Sequence, residues 1–248
     1  MRIMAGVRLE QLSRHYIVSD QRLEAVNNVT TTIAPGSFTV IVGRSGCGKT
    51  TLLRLLSGLE QKTSGQIHWL DSNTGSDNPK VGIVFQEPRL MPWLTVFENM
   101  AFALDRQANP AATDQRVSAT LEQLGLSAFR DAYPSQLSGG MAQRVSLGRT
   151  LCYNPDLILM DEPFGALDYF TRKKLQREIV DLFLREQKTI VFVTHDVSEA
   201  VYLGQKILVM EAGQLLREVS VDLPYPRQVA DPAFLQYQQE ILDSLGGV

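Results

Sequence analysis

The sequence predicts an α/β fold, on three observations. Short apolar, β-branched runs such as 37–42, 157–160 and 189–194 alternate with helix-forming stretches, the pattern of a parallel sheet flanked by helices. The first of these runs passes through a glycine-rich loop directly into a helix pattern that stops at Gly58. From Thr95 to Tyr153 strand patterns cease and helical ones take over, which marks an inserted block.

The glycine-rich stretch reads Gly43, Arg44, Ser45, Gly46, Cys47, Gly48, Lys49, Thr50, Thr51. It fits the phosphate-loop pattern of a glycine, four free positions, then Gly-Lys-Ser/Thr. At ordinary residue frequencies chance gives such a match in roughly one chain in a hundred of this length. Glycines let the backbone wrap an anion with its N–H groups inward, and the following helix adds free N–H groups and its positive dipole end. Lys49 is expected to reach the β- and γ-phosphates of a nucleoside triphosphate, and the Thr50 hydroxyl to ligate Mg²⁺. The loop alone leaves kinases, GTPases and several ATPase classes open. Cys47 lies inside it, so thiol alkylation is expected to block nucleotide sterically.

The 248 residues suffice for one large or two modest domains. Apolar residues at 44% and charged residues at 21% describe an ordinary globular protein. A net charge of −3 gives no electrostatic case for nucleic acid. No apolar run approaches a bilayer span, and the stretch MRIMAGVRLEQ lacks a signal-peptide core, so the cytoplasm is the expected location, on a membrane partner where one exists. Cys47 and Cys152 do not suggest a disulfide framework.

Taken in order, Val7-Arg8-Leu9 and residues 25–33 read as strands with a polar connection between them. Within that connection Tyr16 is either a base-stacking ring or a surface tyrosine. Residues 65–70 read as a strand, 71–78 as a polar turn and 81–85 as a further strand. The last ends at Gln86, near the phosphate loop if both lie at the sheet's carboxyl edge. There it can touch Mg²⁺ or the attacking water, or merely bond its own loop. Helices are predicted over 96–104, over 114–124 and beyond Ser138-Gly139-Gly140, the third carrying Met141, Val145, Gly148 and Cys152 on one face. Ser138, Gly139 and Gly140 form either a second anion site at a helix amino end or a simple cap.

Strand 157–160 ends in Asp161, suited to positioning Mg²⁺, and Glu162, suited to deprotonating water. Asp168 closes the next loop before a helix over 169–186. Strand 189–194 ends in His195, placed to hydrogen-bond a γ-phosphate. A final helix over 231–245 carries Phe234, Tyr237, Ile241 and Leu245 on one face, for packing on its own domain or for a regulatory or dimer contact.

Leu137-Ser138-Gly139-Gly140 followed by Met141-Ala142-Gln143-Arg144-Val145, with Asp161-Glu162-Pro163 and Thr194-His195-Asp196, makes the sequence resemble an ABC-transporter ATPase subunit over nearly its whole length. The resemblance implies a RecA-like phosphate-loop core at 1–94 and 155–225. It also implies an amino-terminal antiparallel β-subdomain, a helical subdomain at 95–154 and a tail with a helix at 226–248. It implies that Tyr16 stacks on adenine, Gln86 couples to the transporter, Glu162 is the general base and His195 a switch. Asp168 would cross to a partner subunit, and Ala142 departs from the Arg, Gln or Lys usual there. Residues 85–93 and 223–227 are similar to the importer branch for nitrate, sulfonates and taurine, with Gly43-Arg44-Ser45-Gly46 and residues 196–201 leaning toward aliphatic sulfonates.

That family implies two copies closing head to tail around two ATP. Each ATP would lie between one copy's glycine loop and the other's Ser138, Gly139 and Gly140, with Mg²⁺ as cofactor. The pair would dock on a transmembrane permease at the cytoplasmic face of a bacterial membrane, served indirectly by an extracytoplasmic solute-binding protein. The rival readings are a soluble ABC-type ATPase, which usually carries a duplicated cassette or a coiled-coil insertion, and a kinase or GTPase. The guanine-specifying Asn-Lys-x-Asp motif is absent.

Overall fold

The computed structural model describes residues 5–70, 79–104, 109–165 and 167–246; the turn expected at 71–78 lies outside them. Strand β3 (Phe38–Val42) and strand β7 (Thr189–Thr194) are buried at every position, which places them inside the main sheet. Around them β5 (Val81–Val84), β6 (Leu157–Asp161), β8 (Lys206–Glu211) and β9 (Gln214–Ser220) complete six strands in the order β5-β6-β7-β3-β8-β9. All neighbours pair in parallel except β8 and β9, an antiparallel hairpin. A second, three-stranded antiparallel sheet has the order β2-β1-β4, from β1 (Gly6–Val18), β2 (Gln21–Ile33) and β4 (Ser64–Leu70).

Alternation along the strands sorts two cores onto the two faces of the main sheet. Phe38, Val40, Val42, Ile190 and Phe192 face the helices α2 (Val96–Ala101), α3 (Pro110–Gln123), α4 (Gly139–Tyr153), α5 (Tyr169–Glu186), α6 (Val197–Leu203) and α7 (Pro232–Ser244). Ile41, Val191 and Val193 face α1 (Lys49–Leu56) and the smaller sheet, whose Val7, Leu9, Val26 and Ile33 close that side.

One sequence expectation changes substantially. The polar connection expected between the first two strands is instead a paired hairpin: β1 runs through His15 and Tyr16 to Val18, and β2 starts at Gln21. Its two-residue turn, Ser19 (φ 50°) and Asp20 (φ 61°), has the positive φ values that fit the twist of a tight hairpin. Hairpin β8–β9 and helix α6 carried no expectation; the hairpin extends the main sheet beyond β3, and α6 packs against β3, β7 and α7.

Between β5 and β6 the described elements are all helical. Helix α2 ends at Ala101, three residues early, and α3 starts at Pro110, four residues early, with Asn109 capping and proline in the first turn. Helix α4 binds the loop after β5 through main-chain carbonyls. Gln143 Nε2 donates to Phe85 O (3.1 Å), Arg149 Nη1 and Nη2 to Arg89 O (2.9 Å) and Pro88 O (3.1 Å). On α7, Phe234, Ile241 and Leu245 are buried on the chain's own core, and the Tyr237 hydroxyl accepts from Asp222 N (3.2 Å).

Candidate active site

The loop from β3 to α1 is fixed by backbone contact. Gly46 (φ 80°) and Gly48 (φ 105°) take conformations that disfavour a Cβ. At Gly48 a Cβ would also lie 2.0 Å from Ala25 O of β2, and at Gly43 it would lie 2.1 Å from Met210 O of β8. The Cys47 carbonyl accepts from Gly213 N (3.0 Å), and the Gly213 carbonyl accepts from Asn27 N (2.7 Å). The loop is therefore wedged between the β1–β2 hairpin and the β8–β9 turn.

Lys49 is almost fully buried, and its Nζ donates to Gly43 O (2.8 Å) and Arg44 O (3.0 Å), 3.8 Å from Glu162 Oε1. The next side chain, Thr50, donates its hydroxyl to Asp161 Oδ1 at the end of β6 (2.9 Å). Burial pushes the Asp161 carboxyl above its ordinary range. The Thr50 hydrogen bond works against that shift, and the nearby Glu162 charge adds to it. Glu162 itself sits at φ 42°, a left-handed backbone costing a non-glycine residue roughly 1–2 kcal/mol. Its Oε2 accepts from His195 Nδ1 (2.8 Å), so Nε2 is the ring's remaining polar atom. Below His195, Thr194 Oγ1 donates to the buried Glu199 (2.7 Å), which also accepts from Gln176 Nε2 (3.2 Å).

These groups border a cleft of about 470 Å³ lined by Tyr16, Ser45, Gly46, Gly48, Lys49, Thr50, Thr51, Gln86 and Glu162. The Tyr16 ring is half-buried, with its hydroxyl on Glu60 Oε2 (3.1 Å) and the Arg14 guanidinium 4.5 Å from its centroid. Leu23, Glu24 and Ala25 also line the cleft; the first two were expected in a polar connection, and Ala25 was expected in a strand with no role at the site. The two-residue Ser19-Asp20 turn between β-patterned runs was the available signal.

The remaining candidates stand apart from this cleft. Ser138 and Gly139 are exposed; Ser138 caps α4 by accepting from Met141 N (3.3 Å), and a Cβ on the buried Gly140 would meet Thr171. Asp168 is exposed and caps α5, accepting from Phe170 N (3.0 Å) and Thr171 N (3.1 Å); its hydrogen bonding with Thr171 holds the carboxyl below its ordinary range. Gly43 and Cys47 belong to the loop but do not line the cleft, and the Arg44 side chain reaches instead to the Leu245 carbonyl. Among the described residues no three His, Cys, Asp or Glu could hold a metal together. The oxygen donors of Thr50, Asp161 and Gln86 suit Mg²⁺, which keeps waters and phosphate oxygens and needs few protein ligands.

A family model described as ABC transporter matches residues 26–165. The chain is 44% identical to the aliphatic sulfonates import ATP-binding protein SsuB of Cupriavidus pinatubonensis, covering 96% of this chain and 76% of that one. It is 39% identical to an uncharacterized ABC transporter ATP-binding protein, MJ0412, of Methanocaldococcus jannaschii, covering 98% and 92%. Among solved structures, the dimeric post-hydrolysis state of the ATP-binding cassette MJ0796 bound to ADP and Pi superposes with a TM-score of 0.76 at 32% identity. It covers 88% of this chain and 100% of that one.

Two outcomes follow from the burial of this site. A carboxyl raised by burial contributes most to stability below its unfolded value and loses that contribution as pH rises through the raised one. Asp161→Asn therefore raises the melting temperature at pH 7 without nucleotide, a gain that shrinks in acid; a lowered melting temperature at pH 7 would contradict it. Cys47 is 5% exposed and burial pushes its thiol up, so alkylation needs the loop to open. Labelling at pH 7 should run at least about tenfold slower than in the urea-unfolded chain, as mass spectrometry would show.

Proposed function

The chain belongs to the ABC transporter family of ATP-binding subunits, and from that premise we propose that it hydrolyses ATP to drive uptake of a small anion of the aliphatic sulfonate class through a separate permease. What carries the chemistry is the convergence of Lys49, Thr50, Asp161, Glu162 and His195 at the carboxyl edge of one sheet. What supports the cargo is the name shared by several relatives at 36–44% identity, aliphatic sulfonates import ATP-binding protein. No helix among the described residues is long and apolar enough to cross a membrane, so this reading assigns the path to another subunit.

In this reading the loop amides from Gly46 to Thr51 and the Lys49 ammonium bind the β- and γ-phosphates, and the Tyr16 ring receives the base. Thr50 and Asp161, with Gln86, would hold Mg²⁺, which neutralises charge on the phosphate oxygens when bound. Glu162 takes the proton of the attacking water, its carboxylate held between Lys49 and His195. His195 Nε2 then remains to contact the γ-phosphate.

A second copy supplies its Ser138, Gly139 and Gly140. The hydroxyl of exposed Ser138 and the amide of exposed Gly139, at the start of a 15-residue helix, offer donors and a positive dipole end to the other side of the triphosphate. ATP favours the closed pair because only that state makes both sets of contacts. The cytoplasmic membrane face, the permease and an extracytoplasmic binding protein belong to the same proposal.

Glu162→Gln should keep ATP binding while lowering turnover at least about 100-fold, and should trap a dimer in size-exclusion chromatography with ATP. An active, monomeric variant would refute the assignment. Isolation from the native membrane should bring down a multispanning permease whose binding protein takes alkanesulfonates. A binding protein that takes only sugars or amino acids would remove the sulfonate cargo.

A further inference from the structure

Arg44 lies in the phosphate loop, yet its two halves serve different neighbours. Its carbonyl accepts from Lys49 Nζ (3.0 Å) and from Cys47 N (3.2 Å), so its peptide is part of the loop's inner wall. Its guanidinium reaches outward, where Nη2 donates to Leu245 O (2.8 Å) at the carboxyl end of α7, with Glu211 3.9 Å from Nη1. A cation on the last turn of a 13-residue helix is favoured by free carbonyls and by the negative dipole end. Helix α7 is itself anchored, through Phe234 (0% exposed) and Ile241 (0% exposed) in the main core. A fixed helix end is thus tied by one side chain to the loop expected to bind phosphate, although α7 lies outside the region the family model matches.

We propose that Arg44 is a positioning residue: through the Leu245 carbonyl it ties the phosphate loop to α7, holding the loop in its phosphate-binding shape and linking nucleotide binding to the last turn of that helix. The inference rests on the loop being the nucleotide site. An ordered loop spends less of its binding energy on ordering itself, so loosening the tie weakens ground-state affinity more than it slows the chemical step. The coupling is reciprocal, so nucleotide must steady the end of α7 by as much as α7 steadies the loop.

The test is amide hydrogen exchange on the full chain and its Arg44→Ala and Arg44→Lys variants, with and without ATP, beside steady-state kinetics. Without nucleotide, Arg44→Ala should speed exchange across residues 43–48 about threefold or more, and raise KM for ATP up to about tenfold with kcat within about twofold. Arg44→Lys, which keeps a cationic donor, should restore part of both. In the unaltered protein ATP should slow exchange at 241–246, and this response should vanish in Arg44→Ala. Unchanged loop exchange and unchanged KM in Arg44→Ala would overturn the tie, as would a fall in KM or an α7 response to ATP that survives the substitution. If ATP fails to protect 43–48 in the unaltered protein, the nucleotide-site reading falls instead, a result separable from the first.

Discussion

Three stretches of backbone meet at the phosphate loop with no room for one more carbon. Gly43 faces the Met210 carbonyl, Gly48 faces the Ala25 carbonyl, and the Gly213 amide bonds Cys47 between them. The rest of the architecture can be read as a means of holding this junction. The main sheet delivers β3 and the β8–β9 turn, and the smaller sheet delivers β2. A loop held on both flanks needs little further ordering when an anion arrives, which is how a glycine-rich segment escapes the entropy its composition would otherwise cost.

Opposite the loop, the ends of β6 and β7 gather groups that are uncomfortable in isolation. Asp161 is pushed toward protonation by burial, Glu162 occupies a left-handed backbone, and Glu199 is buried below His195 and likewise raised by its burial. Each discomfort is met by a named neighbour: the Thr50 hydroxyl, the His195 ring, and the Thr194 hydroxyl with Gln176. Charge and strain concentrated at one sheet edge, on strands otherwise mostly apolar, are what separate a site from a core.

The sequence made the loop legible because glycine, lysine and threonine at fixed offsets have few other uses. It likewise showed Asp161, Glu162 and His195, since a polar residue closing a buried strand must sit at the sheet's edge. It hid the wall formed by Leu23, Glu24 and Ala25. The β1–β2 hairpin is mostly polar toward its tip, with pairing set by a turn and by irregular register rather than by clean alternation. The Arg44–Leu245 contact was equally invisible, because 201 positions separate its partners and the acceptor is a main-chain oxygen, which carries no signature of residue type.

That same anonymity of main-chain acceptors bears on the grip of α4 upon the segment after β5. Gln143 and Arg149 hold carbonyls of Phe85, Pro88 and Arg89, so the grip is indifferent to which side chains those positions carry. Side chains along 85–93 can therefore be exchanged without deleting any of the three acceptors, so the placement of this segment on α4 is set apart from the chemistry it presents.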